Sequence, residues 1–158
     1  MPDSDAELLE TLLAKVVRLL AVHGDASGDP GGTALSMAEG VLLVELLATG
    51  EVTQQQLADR LLLDKSRVSR LCSALERKHL LARQRDQRNR RNLHVRITAS
   101  GTAAAARLRQ TWQERHERML AAMTPEERRA LLLGLGALAR ELAAFHAKSE
   151  TVREPPAT

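Results

Sequence analysis

Residues 64–75 read Asp-Lys-Ser-Arg-Val-Ser-Arg-Leu-Cys-Ser-Ala-Leu, an order that divides apolar from cationic chemistry. At helical spacing Val68, Leu71, Cys72 and Leu75 fall at i, i+3, i+4 and i+7, a stripe suited to a core. The opposite face presents Lys65, Ser66, Arg67, Ser69, Arg70 and Ser73. Short hydroxyl side chains among Arg and Lys let a helix lie deep in a major groove while guanidinium groups reach base edges. A solvated helix face has the same composition, so the neighbouring segments must decide between the two.

Those neighbours favour nucleic acid. Thr53 and Gln56 form a capping pattern for a short helix ending near Leu61 or Leu62, and Asp64 caps the next helix within three residues. Two helices split by so tight a turn make a helix-turn-helix. Thr53, Gln54 and Gln55, at the start of the first of them, are candidates for phosphate contact beside its free N–H groups. Downstream, 80–85 and 92–97 alternate as two short strands around a polar turn, which predicts a two-stranded hairpin. Around that turn Arg83, Arg85, Arg88, Arg90, Arg91 and Arg96 face a single acid, Asp86. Such a concentration of charge repels itself unless an anion meets it. Arg88, Arg90 and Arg91 at a narrow tip suit the minor groove, whose negative potential draws Arg.

Other elements frame this core. Ser4 and Glu7 open a first helix running to about His23, whose Leu8, Leu9, Leu12, Leu13, Val16, Val17, Leu19 and Leu20 make a wider apolar face than one surface helix buries. Burial within its own subunit and burial against another explain that face equally well. Gly24 to Thr33 is a loop by composition. Ser36 and Glu39 cap a second helix to about Leu47, broken by Thr49-Gly50, after which Glu51-Val52 could add a short strand. Thr98 caps a long helix through Met123, and Thr124-Pro125-Glu126-Glu127 starts a last one to about Ala147. The remainder, from Ser149, is expected to fray.

Composition sets outer bounds. The 158 residues are 44% hydrophobic and 27% charged, with one Trp, one Phe and no Tyr, so Leu, Ala and Val must build a helix-on-helix core. Net charge is +3, and apart from Lys15, Lys65, Lys78 and Lys148 every basic side chain is Arg, the better fork for phosphate and guanine. No run is judged to approach the roughly 20 apolar residues of a bilayer span, and the acidic start lacks a signal peptide's basic end, so a cytoplasmic protein without membrane partners is expected. Cys72 is the only cysteine and sits on an apolar stripe, where it behaves as a small hydrophobe. The histidines (His23, His79, His94, His116 and His146) are scattered, with no metal-ligand spacing. With no nucleophile–base pair, phosphate loop or recognisable carboxylate pair, neither catalysis nor a cofactor is expected.

The run TQQQLADRLLLDKSRVSRLCSALERKHLLARQRD, followed by NRRNLHVRITASG, resembles the multiple-antibiotic-resistance-regulator (MarR) family of winged helix-turn-helix regulators. Arg91, Val95, Ile97, Thr98 and Gly101 match that family's wing signature, and TPEERRALLLGL is similar to the usual start of its last helix. Two positions depart: Asn89 stands where an Asp commonly braces the wing arginine, and Leu62 where a Gly often ends the helix. The turn at Leu62 is then either continued helix or a strained non-Gly cap. The resemblance implies a mainly α fold with a small β-hairpin wing, on a helical dimerisation bundle. It divides the chain into a dimerisation helix and loop (1–34), a winged helix-turn-helix (35–98), C-terminal dimerisation helices (99–147) and a flexible tail (148–158). It implies a homodimer on a pseudopalindromic double-stranded operator, a repressor released by a small ligand. Gly134 and Gly136 in the last helix suit close helix approach at such an interface, and tolerated weak spots in the helix explain them equally well.

One further face is ambiguous. Leu108, Trp112, His116, Met119 and Met123 recur at spacings of three or four, with Arg115 beside them. The resemblance places part of this helix beside a cleft where relatives bind aromatic acids, which makes Trp112, Arg115 and His116 candidates for an aromatic or phenolic effector. The competing reading is plain dimer core. Two readings of the whole chain also compete with a ligand-released repressor: a winged-helix protein–protein interaction module, and a DNA binder without a ligand.

Overall fold

The structure, a computed structural model, describes residues 4–23, 34–86, 89 and 93–151. Its elements run α1 (Asp5–His23), α2 (Met37–Thr49), β1 (Val52–Thr53), α3 (Gln54–Leu61), α4 (Lys65–Arg77), β2 (Leu81–Arg85), β3 (Leu93–Ile97), α5 (Ala99–Ala121) and α6 (Pro125–Thr151). The predicted caps form. Ser36 and Glu39 bond reciprocally at 3.2 and 2.7 Å, as do Thr53 and Gln56 at 3.1 and 2.9 Å. Thr124 and Glu127 repeat the motif at 3.2 and 2.8 Å ahead of α6. Each satisfies N–H groups that a helix start would leave without partners.

Boundaries shift from the expectations by a turn or less. α2 continues to Thr49, whose hydroxyl bonds the Glu45 carbonyl (2.9 Å), and stops at Gly50, where φ of 75° suits glycine. α5 ends at Ala121 rather than Met123, and α6 extends past Ala147 to Thr151. Residues 152–158 of the expected tail lie outside the described residues, as do 24–33 of the expected loop.

The predicted hairpin belongs to a larger unit. β2 and β3 pair antiparallel from Leu81↔Ile97 to Arg85↔Leu93, and β1 adds a third strand in the order β1-β3-β2, with Val52↔Val95 and Thr53↔His94. Leu80, expected at a strand start, is outside the pairing, and Asn92, expected at the other, lies outside the described residues. Leu80 instead turns its carbonyl to the Thr98 N–H (3.1 Å).

Leu42, Leu43, Leu46, Leu57, Val68, Cys72, Leu75, Leu81 and Val95 are fully enclosed between α2, α3, α4 and the sheet. α5 joins this core through Ala104, Ala105 and Leu108. The remaining helices do not share it. On α1, Leu8 to Leu20 stay between 38% and 63% exposed, and on α6 Leu132, Leu133, Leu142 and Phe145 are 60% or more exposed. The Pro125–Ala147 stretch of α6 reaches a mean hydropathy of 1.4 with none of it buried. By length and composition it could cross a membrane, which corrects the expectation that no run comes near. Its many Leu and Ala residues raise the mean hydropathy, although Arg140 and Glu141 interrupt the apolar run.

Candidate nucleic-acid interface

α4 is held at both ends and along one side. At its start Asp64 Oδ1 accepts the Arg67 N–H (2.7 Å) and the Ser66 hydroxyl (2.7 Å). Those two bonds, helped by the charge of Arg70, hold the Asp64 carboxyl below its ordinary range. At its end Lys78 Nζ reaches both oxygens of Glu39 (2.9 Å each) and the Ala34 carbonyl (2.7 Å). Burial pushes the Glu39 carboxyl up, but Lys78 and the Ser36 cap outweigh it and the net shift is downward. Laterally, Glu76 takes the Arg83 guanidinium at 2.6 and 3.0 Å and its N–H at 3.3 Å, pinning β2 to the helix. Arg83 is therefore structural and leaves the group of free wing cations that the sequence suggested.

The turn before α4 settles the Leu62 alternatives. Leu62 adopts φ 51°, ψ 43°, a left-handed cap on a half-exposed non-glycine residue. The helix breaks there, and its backbone N–H closes back to Asp59 (3.3 Å) while that of Leu63 reaches Ala58 (3.0 Å).

With this anchoring, α4 buries Val68, Cys72 and Leu75 and turns Lys65, Ser66, Arg67 and Arg70 outward. Among the described residues no ion pair engages Lys65, Arg67 or Arg70. Ser69 and Ser73 are half-buried, and the Ser73 hydroxyl bonds the Ser69 carbonyl (2.9 Å). The Thr53 hydroxyl is occupied by its cap, and Gln55 bonds Asp59 (2.6 Å). Gln54 is half-buried, its Oε1 enclosed without a hydrogen-bond partner. Arg88, Arg90 and Arg91, the expected tip cations, lie outside the described residues. Arg85 and Arg96 on the strands below them are exposed.

Gly101 explains its place in the wing signature. A Cβ there would overlap the Leu80 carbonyl oxygen, the acceptor of the Thr98 N–H. Thr98 also donates its hydroxyl to the His79 carbonyl (2.8 Å) and accepts the Gly101 N–H (3.0 Å), so one residue joins the loop after α4 to the start of α5.

On α5, Trp112 is half-buried against α2, where a Cβ at Gly40 would come within 3.2 Å of its ring and 2.7 Å of Leu108. Gly40, which the sequence reading did not single out, permits that approach. Arg115 is half-buried with its Nε enclosed and lacking a partner, and His116 is exposed. Among the described residues no His, Cys, Asp and Glu group is arranged to hold a metal.

A three-stranded sheet packed on α2, α3 and an outward-facing cationic α4 defines a winged helix-turn-helix. Residues 35–93, the region that holds this winged helix-turn-helix, match the MarR family model. Solved structures share the fold over most of the chain. FabT of Streptococcus pneumoniae in complex with DNA aligns with a TM-score of 0.76 at 21% identity, covering 89% of this chain and 99% of that one. The MepR–DNA complex of S. aureus aligns at 0.69 and 22% over the same shares. Bordetella bronchiseptica BpsR, whose DNA binding is regulated by 6-hydroxynicotinic acid, aligns at 0.72 and 20%, covering 84% and 98%. Among curated proteins, none matches.

Proposed function

We propose that the protein is a sequence-specific regulator of transcription that binds double-stranded DNA as a homodimer, one winged helix-turn-helix per subunit. The observation that carries this reading is the α4 surface: Lys65, Arg67 and Arg70 project from a helix whose Val68, Cys72 and Leu75 are fully buried. A rigid helix with unpaired guanidinium groups suits the major groove, and the Arg-rich wing suits the adjacent minor groove. The relatives solved with DNA support it. A winged-helix module for protein contact has no need of cations at both places.

The dimer reading rests on α1 and α6, whose apolar faces have no cover in one chain. Covering each other across a twofold axis explains both at once, with 1–34 and 99–147 forming the bundle and 35–98 the reading lobe. Gly134 and Gly136, with no neighbouring side chain closer than Arg140 at 4.0 Å from the latter, leave room for a partner helix. Arg140 and Glu141 fall inside the apolar stretch of α6, and an ionisable pair there is costly in hydrocarbon, which favours a protein partner over a bilayer. Repression in the compartment that holds the DNA, with release by an aromatic or phenolic acid, is the regulatory reading. The enclosed, unpartnered Nε of Arg115 beside Trp112 supports such an effector, with His116 at the rim.

Selection of bound duplexes from a random pool tests the function. A pseudopalindrome with half-sites about one helical turn apart is expected. Recovery of no enriched sequence would reject sequence-specific reading.

A further inference from the structure

At the base of the wing His94 stands between two carboxylates. Its Nδ1 is 3.3 Å from Glu51 Oε1 and its Nε2 is 3.4 Å from Asp86 Oδ2. Glu51 immediately precedes β1, and Asp86 immediately follows β2, so the ring ties both outer strands to the central one. Asp86 reaches further: its Oδ1 accepts the backbone N–H of Asn89 at 3.3 Å, inside the turn that carries the tip. The chain Glu51–His94–Asp86–Asn89 thus runs from the entrance of the helix-turn-helix to the wing turn. Of the other charged groups around β3, only Arg96 shares the face of His94. Glu45 pairs with Arg60, Asp59 holds Gln55, and Glu39 holds Lys78. Arg83 is taken by Glu76, Arg85 lies opposite Leu93 on the other face of the sheet, and Arg96, two residues along β3, shares the face of His94 and is exposed to solvent. The cross-strand partners of His94 are Thr53 and Gln84, both neutral.

An imidazolium donates from both ring nitrogens, whereas neutral imidazole donates from one and turns a lone pair outward from the other. Between two carboxylates only the charged ring satisfies both sides. Resting on the DNA-reading proposal above, we propose that His94 is a positioning residue for the wing. Its protonated ring clamps the ends of β2 and β3 to β1 and, through Asp86, fixes Asn89, and loss of the proton to solvent opens one side of the clamp. Binding should therefore be tighter where the ring is protonated and weaken as pH rises.

Losing any positive charge near DNA also weakens binding, so the test must separate clamp from charge. Affinity for a selected duplex is measured from about pH 5.5 to about 8.5 for the unsubstituted protein, His94→Gln and Glu51→Gln. The clamp predicts a roughly three- to tenfold weakening across that range, mostly abolished in His94→Gln and reduced in Glu51→Gln. Charge alone predicts tighter binding and an unchanged pH step for Glu51→Gln, because a negative group has been removed; that result would overturn the clamp. In parallel, proton–nitrogen NMR of the free protein follows the His94 ring and the Asn89 amide. Their shifts should titrate together, and the Asn89 change should vanish in His94→Gln; independent titration would overturn the bridge without reference to DNA. If the unsubstituted protein bound no duplex at any pH, the DNA reading and the affinity effect would both fail, and the NMR titration would still decide the bridge.

Discussion

At residue scale, the polar side chains that matter most pair within the fold, away from the reading face. Glu39 and Lys78 are 39 positions apart, and neither residue type announces its partner. Removing the ammonium with Lys78→Met leaves a mostly buried carboxylate unpaired and should cost about 2–3 kcal/mol, read by urea unfolding. Because the Glu39 carboxyl is held below its ordinary value of 4.5, its pairing is fully present above that pH and is lost as pH falls through the lower folded value. The Lys78→Met protein should accordingly lose part of this acid sensitivity. Cys72 is the opposite case, since its role was legible: it is wholly buried, and burial pushes its thiol up to about 11. Native protein at pH 8 should react with a disulfide reagent only as fast as it opens, and reaches full reactivity in denaturant. Rapid labelling of the folded state would contradict this packing.

Elements were most legible where local chemistry defines them. Ser36, Thr53, Asp64, Thr98 and Thr124 each cap the helix that their sequence context predicts. Caps involve neighbours three residues apart, and such signals survive without tertiary information. The third strand was only suggested by Glu51-Val52, because two residues acquire strand character by pairing with β3 some 43 positions later (Val52↔Val95). For the same reason the fate of Arg83 was hidden: its charge reads as wing surface until Glu76 is brought beside it. Leu62 shows a third limit, where a non-glycine occupies a left-handed cap that glycine would adopt at less strain. Gly101 is where element packing becomes most demanding. Gly101→Ala drives a methyl into the Leu80 carbonyl and should cost about 3 kcal/mol, with the α5 start displaced. A thermal midpoint equal to that of the unsubstituted protein would mean the contact yields easily.

For the molecule as a whole, one chain leaves two long apolar helix faces uncovered while completing a core around its reading helix. Sedimentation at micromolar concentration should show a dimer. Leu132→Glu combined with Leu133→Glu should shift it toward monomer and reduce operator affinity more than tenfold, since paired half-sites are then engaged one at a time. A dimer could not be read from periodicity alone, because a wide apolar face fits burial within a subunit and between subunits alike. The division of α4 into a buried and a cationic face was legible because its apolar and cationic positions fall on opposite sides of one short helix. The most direct test of that lobe is the affinity for a selected duplex measured through a salt series, for the unsubstituted protein and for Arg67→Ala and Arg70→Ala. The account predicts a steep, linear fall of log affinity with log salt. It also predicts losses of about 1–3 kcal/mol for each substitution, with relaxed preference among operator variants. A flat salt response, or substitutions that leave both affinity and preference unchanged, would contradict it.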